Sequence, residues 1–321
     1  MASTTRQALL QALSAAEGAY ISGQQLAQQL GVSRAAVHKA AAALTAQGYA
    51  LEAASRRGYR LLGGDPFCTE AVGPYPAPVQ LYDTLESTNR TAKLLALEGA
   101  VHGTLVLAGG QTAGRGQRGH SWTSPEGENL TFTLVLEPVF LPVGEQFLLS
   151  EAVTLALTDT FAAFGIDARI KWTNDIYVGD KKLVGILIEH SYSGPTLART
   201  IAGIGINVNQ TEFDPALPNP VSMAMVAGRT FDRGEVLEAF RRHIGIRYAQ
   251  LELDERETLQ RDYRERMYRL GERHTFRYPD GTPTEASIEG VRPTGELLLR
   301  HADGTLREYL FKEIEFVIAG K

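Results

Sequence analysis

Cysteine is almost absent from this chain of 321 residues, which contains only Cys68. A single cysteine excludes an internal disulfide framework and a zinc site built from cysteines, and it is typical of a reducing compartment. No run approaches the roughly 18 apolar residues that a membrane span needs, and the first residues have no signal-peptide core. We therefore predict a cytoplasmic protein without a membrane partner.

Two common catalytic signatures are also missing. The sequence has no G-x-S-x-G and no H-E-x-x-H, and its seven histidines are scattered. These absences argue against a serine hydrolase and against a zinc enzyme. We expect no resident metal site in the protein.

The charge is distributed unevenly along the chain. The total is −5, yet residues 1–63 hold six Lys or Arg against two acidic residues and carry +4, which leaves −9 on the remainder. Only the N-terminal part therefore suits a polyanion such as DNA. The length predicts two or three domains, since a domain has roughly 100 to 200 residues.

The N-terminal pattern is that of a winged helix-turn-helix. The second helix begins at Ser22 with Gln25 in the capping-box position, and the third begins at Ser33. Arg56 and Arg57 form a basic tip between two short strands, as in a wing beside recognition helices. The helices are predicted at residues 5–15, 22–30 and 33–47, and the strands at 49–52 and 58–62.

The rest of the chain predicts an α+β multidomain protein. Four prolines mark a stiff linker at 64–78, which separates a domain at 1–63 from a mixed sheet with helices at 79–270. Short strands between tight turns predict a small β-barrel at 271–321. In the central region we expect helices at 87–99, 145–164, 233–251 and 254–269, and strands at 104–109, 130–136, 168–172, 175–178, 182–191 and 198–208.

The segment GGQTAGRGQRGHSW at 109–122 has the sharpest chemical signal. Its glycines expose backbone N–H groups and its arginines present guanidinium forks, and both bind phosphate or carboxylate oxygens. Gly114, Gly116 and Gly119 also spell G-x-G-x-x-G, but Pro125 and Gly127 prevent the helix that a dinucleotide fingerprint requires. A flexible surface loop is the alternative.

Two further segments combine polar residues with apolar strands. KWTND and the following strand place Lys171, Asn174, Asp175 and Lys182 around a hairpin, which is either part of a ligand site or a hairpin with solvated lysines. In GIGINVN at 203–209, Asn207 is a polar tip on an apolar strand. A bulge in a buried strand and a ligand contact both remain open for it.

Together these segments resemble the biotin protein ligases. The resemblance covers nearly the whole chain, and the N-terminal region is similar to the winged helix of the bifunctional members, which also repress biotin-synthesis genes. The motifs are ESTN at 86–89, QTAGRGQRGHSW at 111–122, KWTND at 171–175, KLVGILIE at 182–189, GIGINVN at 203–209, SGQQLAQQLGVSRAAVHK at 22–39 and RRGYRL at 56–61.

The resemblance implies a catalytic domain related to class II aminoacyl-tRNA synthetases and a C-terminal SH3-like barrel. It also implies two half-reactions: biotin and MgATP give biotinyl-AMP, and a lysine of the biotin carboxyl carrier protein of acetyl-CoA carboxylase then accepts biotin. By motif match the biotin site comprises Ser87, Thr88, Asn89, Gln111, Arg115, Gly116, Gln117 and Lys182. The same match assigns Trp122, Lys171, Asn174 and Asn207 to ATP, and Arg115, Lys182 and Asp175 to catalysis.

The chemistry explains these residue types, because a carboxylate that attacks a phosphate brings like charges together. Cations fixed in a water-poor site lower that barrier by roughly several kcal/mol in total. Asp175 is a hypothetical acceptor for the proton of the attacking lysine; a structural role for it is the alternative. Gln117 stands where many members have a third loop arginine, so we expect the biotinyl-AMP intermediate to be bound more weakly. Thr173 stands where they have proline, and we expect this difference to have little effect on the reaction.

For the winged helix, we expect the third helix to enter the major groove and the wing to contact phosphates. When no carrier protein remains to be modified, biotinyl-AMP stays bound. We expect the bound intermediate to favour a homodimer and therefore operator binding. Two other functions stay open: a lipoate or octanoate protein ligase, and a biotin-sensing repressor without ligase activity. The DNA-contacting residues are predicted to be Ser33, Arg34, His38, Lys39, Arg56 and Arg57.

Overall fold

The computed structural model describes most of the chain. Three of the sequence predictions fall outside the described residues: Gln117, Arg56 and all of the linker except residue 78. The described residues are 5–6, 8–9, 12–13, 16, 18–46, 51–55, 57–61, 78–116 and 121–318.

The N-terminal region forms the predicted helices and wing. Helix α1 (Gly23–Leu30) begins with the expected capping box, in which Ser22 Oγ accepts from the Gln25 N–H at 3.2 Å. Helix α2 (Arg34–Ala46) follows, and the described residues between 5 and 13 are helical. Strands β1 (Leu51–Ala54) and β2 (Gly58–Leu61) pair antiparallel as the wing.

The central region is a seven-stranded sheet in the order β3-β4-β5-β9-β8-β7-β6. Only β3 and β4 are parallel, so the mostly antiparallel sheet is confirmed, although β3 itself was not predicted. The strands are β3 (Val79–Leu85), β4 (Leu105–Gln111), β5 (Leu130–Leu136), β6 (Arg169–Lys171), β7 (Asp175–Val178), β8 (Lys181–Ser193) and β9 (Thr196–Ile206).

Alternation along these strands gives the sheet two different faces. On one face, Phe132, Val184 and Ile204 join the main core with the long helices. We call the opposite face the glycine face, because it carries Gly185, Gly203 and Gly205. Helix α3 (Thr88–Leu97) covers one end of it, where Ala92 and Ala96 pack on Val106, Val135 and Ile201.

The core face is covered by helices that are joined through ion pairs. They are α4 (Phe147–Ala163), α6 (Arg233–Glu252) and α7 (Arg256–Glu265), while the short α5 (Met223–Ala227) was not predicted. Arg247 on α6 pairs with Asp159 on α4 and Asp262 on α7, each at 2.7 Å. Since all three side chains are largely buried, loss of one partner leaves an uncompensated charge.

Helix α4 also contains a buried acid, Glu151, which is 2% exposed. Burial raises the pKa of this carboxyl from 4.5 to about 8, so it is protonated at neutral pH. Because the folded pKa lies above the unfolded one, its contribution to stability is full below pH 4.5. That contribution declines as the pH rises and is lost at about pH 8.

We expect Glu151→Gln, which cannot ionise, to remove this dependence. Relative to the variant, the wild-type free energy of unfolding should fall by about 1.4 kcal/mol per pH unit between pH 4.5 and 8. Denaturant titrations of both proteins at pH 5 and pH 8 measure the difference. Parallel pH profiles would show that the carboxyl is not buried as described.

The C-terminal region is a five-stranded antiparallel sheet in the order β13-β12-β11-β10-β14. Its end strands do not pair with each other within the described part of the chain, so the closed barrel that was predicted is not seen. The strands are β10 (Arg273–Arg277), β11 (Pro283–Val291), β12 (Leu297–His301), β13 (Leu306–Tyr309) and β14 (Glu315–Phe316). Among the described residues, no helix has both the length and the apolar character to cross a bilayer.

Candidate active site on the glycine face

The centre of the glycine face is a platform without side chains. Gly185 of β8 lies directly opposite Gly205 of β9 in the antiparallel register. The ring of Trp122 rests on this pair: a Cβ on Gly185 would stand 2.8 Å from its Cζ3 atom, and one on Gly205 2.5 Å from its Cζ2 atom. Glycine is therefore required at both positions for a flat group to lie against the strands.

The glycine-arginine loop is folded over this platform. The Thr112 and Ala113 N–H groups donate to the carbonyls of Leu85 and Glu86 at 2.9 Å, which fixes the start of the loop. Gly114 accepts from the Trp122 N–H at 3.0 Å. Arg115 bridges to Ser121 and is exposed, and Gly116 is half-buried. For the described part of this segment, these contacts argue against the alternative interpretation, a flexible surface loop.

The ESTN segment places three polar residues at the start of α3, next to the loop. Gln111 Oε1 accepts from both the N–H and the hydroxyl of Thr88, at 2.7 and 3.1 Å. Ser87 is buried, and its hydroxyl does not cap the helix. The structure thus brings Ser87, Thr88 and Gln111 together at one edge of the platform.

Asn89 has both ends of its side-chain amide engaged inside the protein. Its Oδ1 accepts from Thr133 at 2.7 Å, and its Nδ2 donates to Glu189 at 3.0 Å. A Cβ on Gly203 would stand 2.7 Å from Asn89 Cγ. Asn89 therefore braces the glycine face, and its predicted contact with biotin remains a prediction.

Glu189 was not among the predicted site residues, although it ends the KLVGILIE motif. Lys93 pairs with it at 2.6 Å. Burial favours a higher pKa for Glu189, but hydrogen bonds from Lys93 and Asn89 and the charges of Lys93 and Arg115 together lower that pKa. Arg115 is thus close enough to the glycine face for its charge to act on Glu189.

A second cation reaches the platform from the hairpin. Lys182 Nζ forms an ion pair with Asp175 Oδ1 at 2.8 Å, and both side chains are partly exposed. Lys182 Cε lies 3.5 Å from the point where a Gly185 Cβ would stand, beside the ring of Trp122. Two segments that are distant in sequence therefore deliver cationic groups to the same surface.

Lys171 and Asn174 lie in the same turn but make other contacts. The Lys171 ammonium stands 4.8 Å from the centre of the Phe316 ring and 5.3 Å from that of Tyr177. Asn174 is buried and donates to the Ile186 carbonyl at 3.3 Å. Their predicted contact with ATP phosphates therefore remains a prediction.

Asn207 follows β9 and ties it to the next segment. Its side chain donates to the Val221 carbonyl at 3.1 Å, and its backbone pairs with Leu183 and Met223. Of the two interpretations left open for this residue, the bonding favours a structural one. Its place near adenine is still a prediction.

Two buried polar atoms on the glycine face have no hydrogen-bond partner among the described residues. They are Trp122 Nε1 and Thr131 Oγ1, and Thr131 lies opposite Gly205 in the sheet. Unpaired buried donors are costly, so they are suited to meet a ligand with polar edges. The signal for Thr131 was present in the sequence LTFTLVL, where threonines alternate with apolar residues on a buried strand.

The winged helix presents its predicted residues in different ways. Arg34, His38 and Lys39 are exposed on α2, whereas Ser33 uses its hydroxyl to cap that helix at the Ala36 N–H. On the wing, the Arg57 guanidinium lies 4.1 Å from the centre of the Tyr20 ring. An exposed row of cations on α2 and a basic wing are suited to contact DNA.

The catalytic region and the N-terminal region each match a known family. Residues 81–207 match the biotin/lipoate A/B protein ligase family, and residues 5–60 match an HTH domain family. A solved biotin protein ligase from Aquifex aeolicus, in complex with biotin and ATP, is similar with a TM-score of 0.64 and 25% identity. That likeness covers 75% of this chain and 99% of that one.

Curated relatives of this chain are named as bifunctional ligase/repressors. The bifunctional ligase/repressor BirA of Bacillus subtilis is 38% identical over 249 residues, which are 74% of this chain and 76% of that protein. The Escherichia coli BirA is 31% identical over 253 residues, 76% of each chain. The class is thus a protein ligase joined to an HTH domain. The chain belongs to the biotin protein ligase family, as one of its bifunctional ligase/repressor members.

Proposed function

We propose that this chain makes biotinyl-5'-AMP from biotin and MgATP and then transfers biotin to a lysine of the biotin carboxyl carrier protein. In the first step a biotin carboxylate oxygen bonds to the α-phosphorus, and the bond from that phosphorus to the pyrophosphate oxygen breaks. In the second step the neutral lysine amine attacks the acyl carbon, AMP leaves and the amine loses a proton. Mg²⁺ enters as part of MgATP, as substrate.

One observation carries the proposal: the indole of Trp122 and the side chain of Lys182, from two separate segments, meet at the Gly185 and Gly205 pair, and the charge of Arg115 acts on Glu189 of the same strand. Cations fixed beside a developing negative charge stabilise the transition state without needing to reorganise. An indole with an unpaired N–H offers a flat surface and a polar atom to a ligand ring. These are the requirements for joining a small acid to a nucleotide phosphate.

We assign the biotin carboxylate and α-phosphate to Lys182 and Arg115. The remaining biotin contacts are proposed for Ser87, Thr88 and Gln111, with the loop backbone at Gly116 closing over the ligand. Closure shields the mixed anhydride from water. Trp122, which contacts both platform glycines, is the proposed partner of adenine.

Asp175 has a proposed part in transfer. Its carboxylate already pairs with Lys182 at 2.8 Å and is partly exposed, so an incoming amine can approach it. Once Lys182 binds the phosphate, this carboxylate is placed to accept the proton of the attacking lysine. An Asp175→Asn variant that transfers biotin to the carrier at the wild-type rate contradicts this role.

The test of the proposed function is exchange of labelled pyrophosphate into ATP. We expect exchange that depends on biotin and is not supported by lipoate or octanoate. Exchange with lipoate alone would favour a lipoate ligase, and no exchange with any of these acids would favour a repressor without ligase activity. A mass shift of the carrier protein in the presence of biotin and MgATP then tests transfer.

The N-terminal region is proposed to bind operator DNA through Arg34, His38, Lys39 and the wing residue Arg57. Exposure of these residues on one helix and on the hairpin supports the assignment. Ser33 is proposed to act by capping the helix that presents them. Two further features remain predictions from the sequence: a homodimer that forms when biotinyl-AMP is bound, and a cytoplasmic location.

Gly58 supplies a test of the wing. Its φ is +101°, and an added Cβ would stand 2.5 Å from Ser22 Cα, so Gly58→Ala must displace the hairpin. We expect this variant to bind DNA from upstream of the host's biotin-synthesis genes about tenfold more weakly, with unchanged pyrophosphate exchange. Gly18→Ala is the matched control, because Gly18 has φ +79° but its nearest atom is 3.8 Å away. Equal losses in both variants would mean that wing placement is not the cause.

The domain limits and the C-terminal module complete the proposal. We assign 1–63 to DNA binding, 79–270 to ligation and 271–321 to an SH3-like module. Five short antiparallel strands in the last region, four of them paired in chain order and the last returning beside β10, support the module assignment.

A further inference from the structure

The turn that carries Asp175 is fixed at each of its five residues. Lys171 lies over two aromatic rings, Asn174 donates to Ile186, and Asp175 pairs with Lys182. Trp172 Nε1 donates to the Gly295 carbonyl at 2.9 Å, a contact with the C-terminal sheet. Such a turn holds its charged group at one place on the glycine face.

The remaining residue of the turn, Thr173, is held by a side chain that belongs to none of the sequence motifs. The Tyr263 hydroxyl, on α7, donates to the Thr173 carbonyl at 3.0 Å across 90 positions of sequence. Tyr263 is fully buried and its ring meets Phe147 edge-on, with centroids 5.7 Å apart. Phe147 also fills the space beside Gly295, whose carbonyl accepts from Trp172. The same aromatic packing therefore supports two contacts of the turn.

The phenol is held in its donating form. Burial, together with the nearby carboxyl of Glu151, raises the pKa of Tyr263 well above its usual value. The protonated hydroxyl donates to the Thr173 carbonyl. Removal of the hydroxyl alone therefore frees the middle of the turn without opening the core.

We propose that Tyr263 is a positioning residue for the ligase reaction: through the Thr173 carbonyl it holds the turn so that Asp175 stays aligned with Lys182 and the acyl phosphate. This inference rests on the proposed function. The hydroxyl does not touch the substrates. It acts by keeping the turn in the geometry that the transition state needs, so its loss should lower kcat more than it raises KM.

The first variant is Tyr263→Phe, which keeps the ring and deletes the hydrogen bond. We expect kcat for transfer of biotin to the carrier protein to fall about tenfold, with KM for the carrier protein within twofold of wild type. Tyr278→Phe is the matched control, because that hydroxyl pairs with Tyr309 in the C-terminal sheet at 3.0 Å. Its kcat should stay at the wild-type value.

A double-mutant cycle separates positioning from general loss of stability. In an Asp175→Asn background, adding Tyr263→Phe should lower the single-turnover rate of biotin transfer from biotinyl-AMP to the carrier protein less than twofold if the hydroxyl acts through Asp175. A full tenfold loss in that background would overturn the proposal, as would an unchanged kcat in Tyr263→Phe or an equal loss in Tyr278→Phe. Absence of exchange in the wild-type protein instead contradicts the proposed function itself.

Discussion

We expect Lys182→Met to lower biotin-dependent pyrophosphate exchange by roughly 1,000-fold, or about 4 kcal/mol of transition-state stabilisation. Methionine replaces the aliphatic part of the side chain but removes the ammonium that pairs with Asp175 at the edge of the platform. The carboxylate of Asp175 is then left without its partner beside two anionic substrates. Both the lost attraction and the new repulsion act in the same direction.

The neighbouring lysine provides the control for that experiment. Lys181 is exposed and lies on the same strand, so Lys181→Met changes the net charge equally but leaves the platform intact. We expect its exchange rate to stay within twofold of wild type. Equal losses in the two variants would mean that overall charge, rather than a cation at the platform, determines the rate.

The second large effect is expected from Gly205→Ala. The new Cβ would stand 2.5 Å from Trp122 Cζ2, so the indole must leave the strands. Displacement of ligand groups by about 1 Å can cost 100-fold in rate, and overpacking costs about 1–3 kcal/mol of stability. We therefore expect a loss of about 100-fold in exchange, measured beside the thermal unfolding midpoint.

Gly144→Ala is the matched control for this substitution. Gly144 has no atom within 4 Å of an added Cβ, and its φ is not in the left-handed region. Its activity and unfolding midpoint should equal those of the wild type. If Gly205→Ala retained full activity, the position of the Trp122 indole on the glycine pair could not be what places the ligand.

Local sequence patterns predicted much of the fold. Alternating apolar residues located β5 at 130–136, and the Ser22 capping box located the start of α1. The edge strand β3 was missed because it follows the proline-rich segment and mixes exposed with half-buried positions. Closure of the last sheet was predicted from short strands between tight turns, a pattern that does not determine how the end strands meet.

The site was predictable in outline but not in detail. The glycines and arginines of the loop indicated an anion site, since those residue types are needed wherever backbone or cations approach an anion. The Lys182 hairpin was indicated by its lysines beside an apolar strand. The bonding of Asn89 to Glu189 joins residues 100 positions apart, and that of Tyr263 to Thr173 joins residues 90 apart. The spacing of residues within one sequence segment does not show which distant residue will form a hydrogen bond with it.

The most direct test of the central claim is a co-crystal structure with a nonhydrolysable analogue of biotinyl-AMP. We expect the acyl-phosphate group to lie within hydrogen-bond distance of Lys182 Nζ and Arg115, with the adenine ring against the indole of Trp122 that rests on Gly185 and Gly205. An analogue bound elsewhere, with Lys182 still paired only to Asp175, would contradict it.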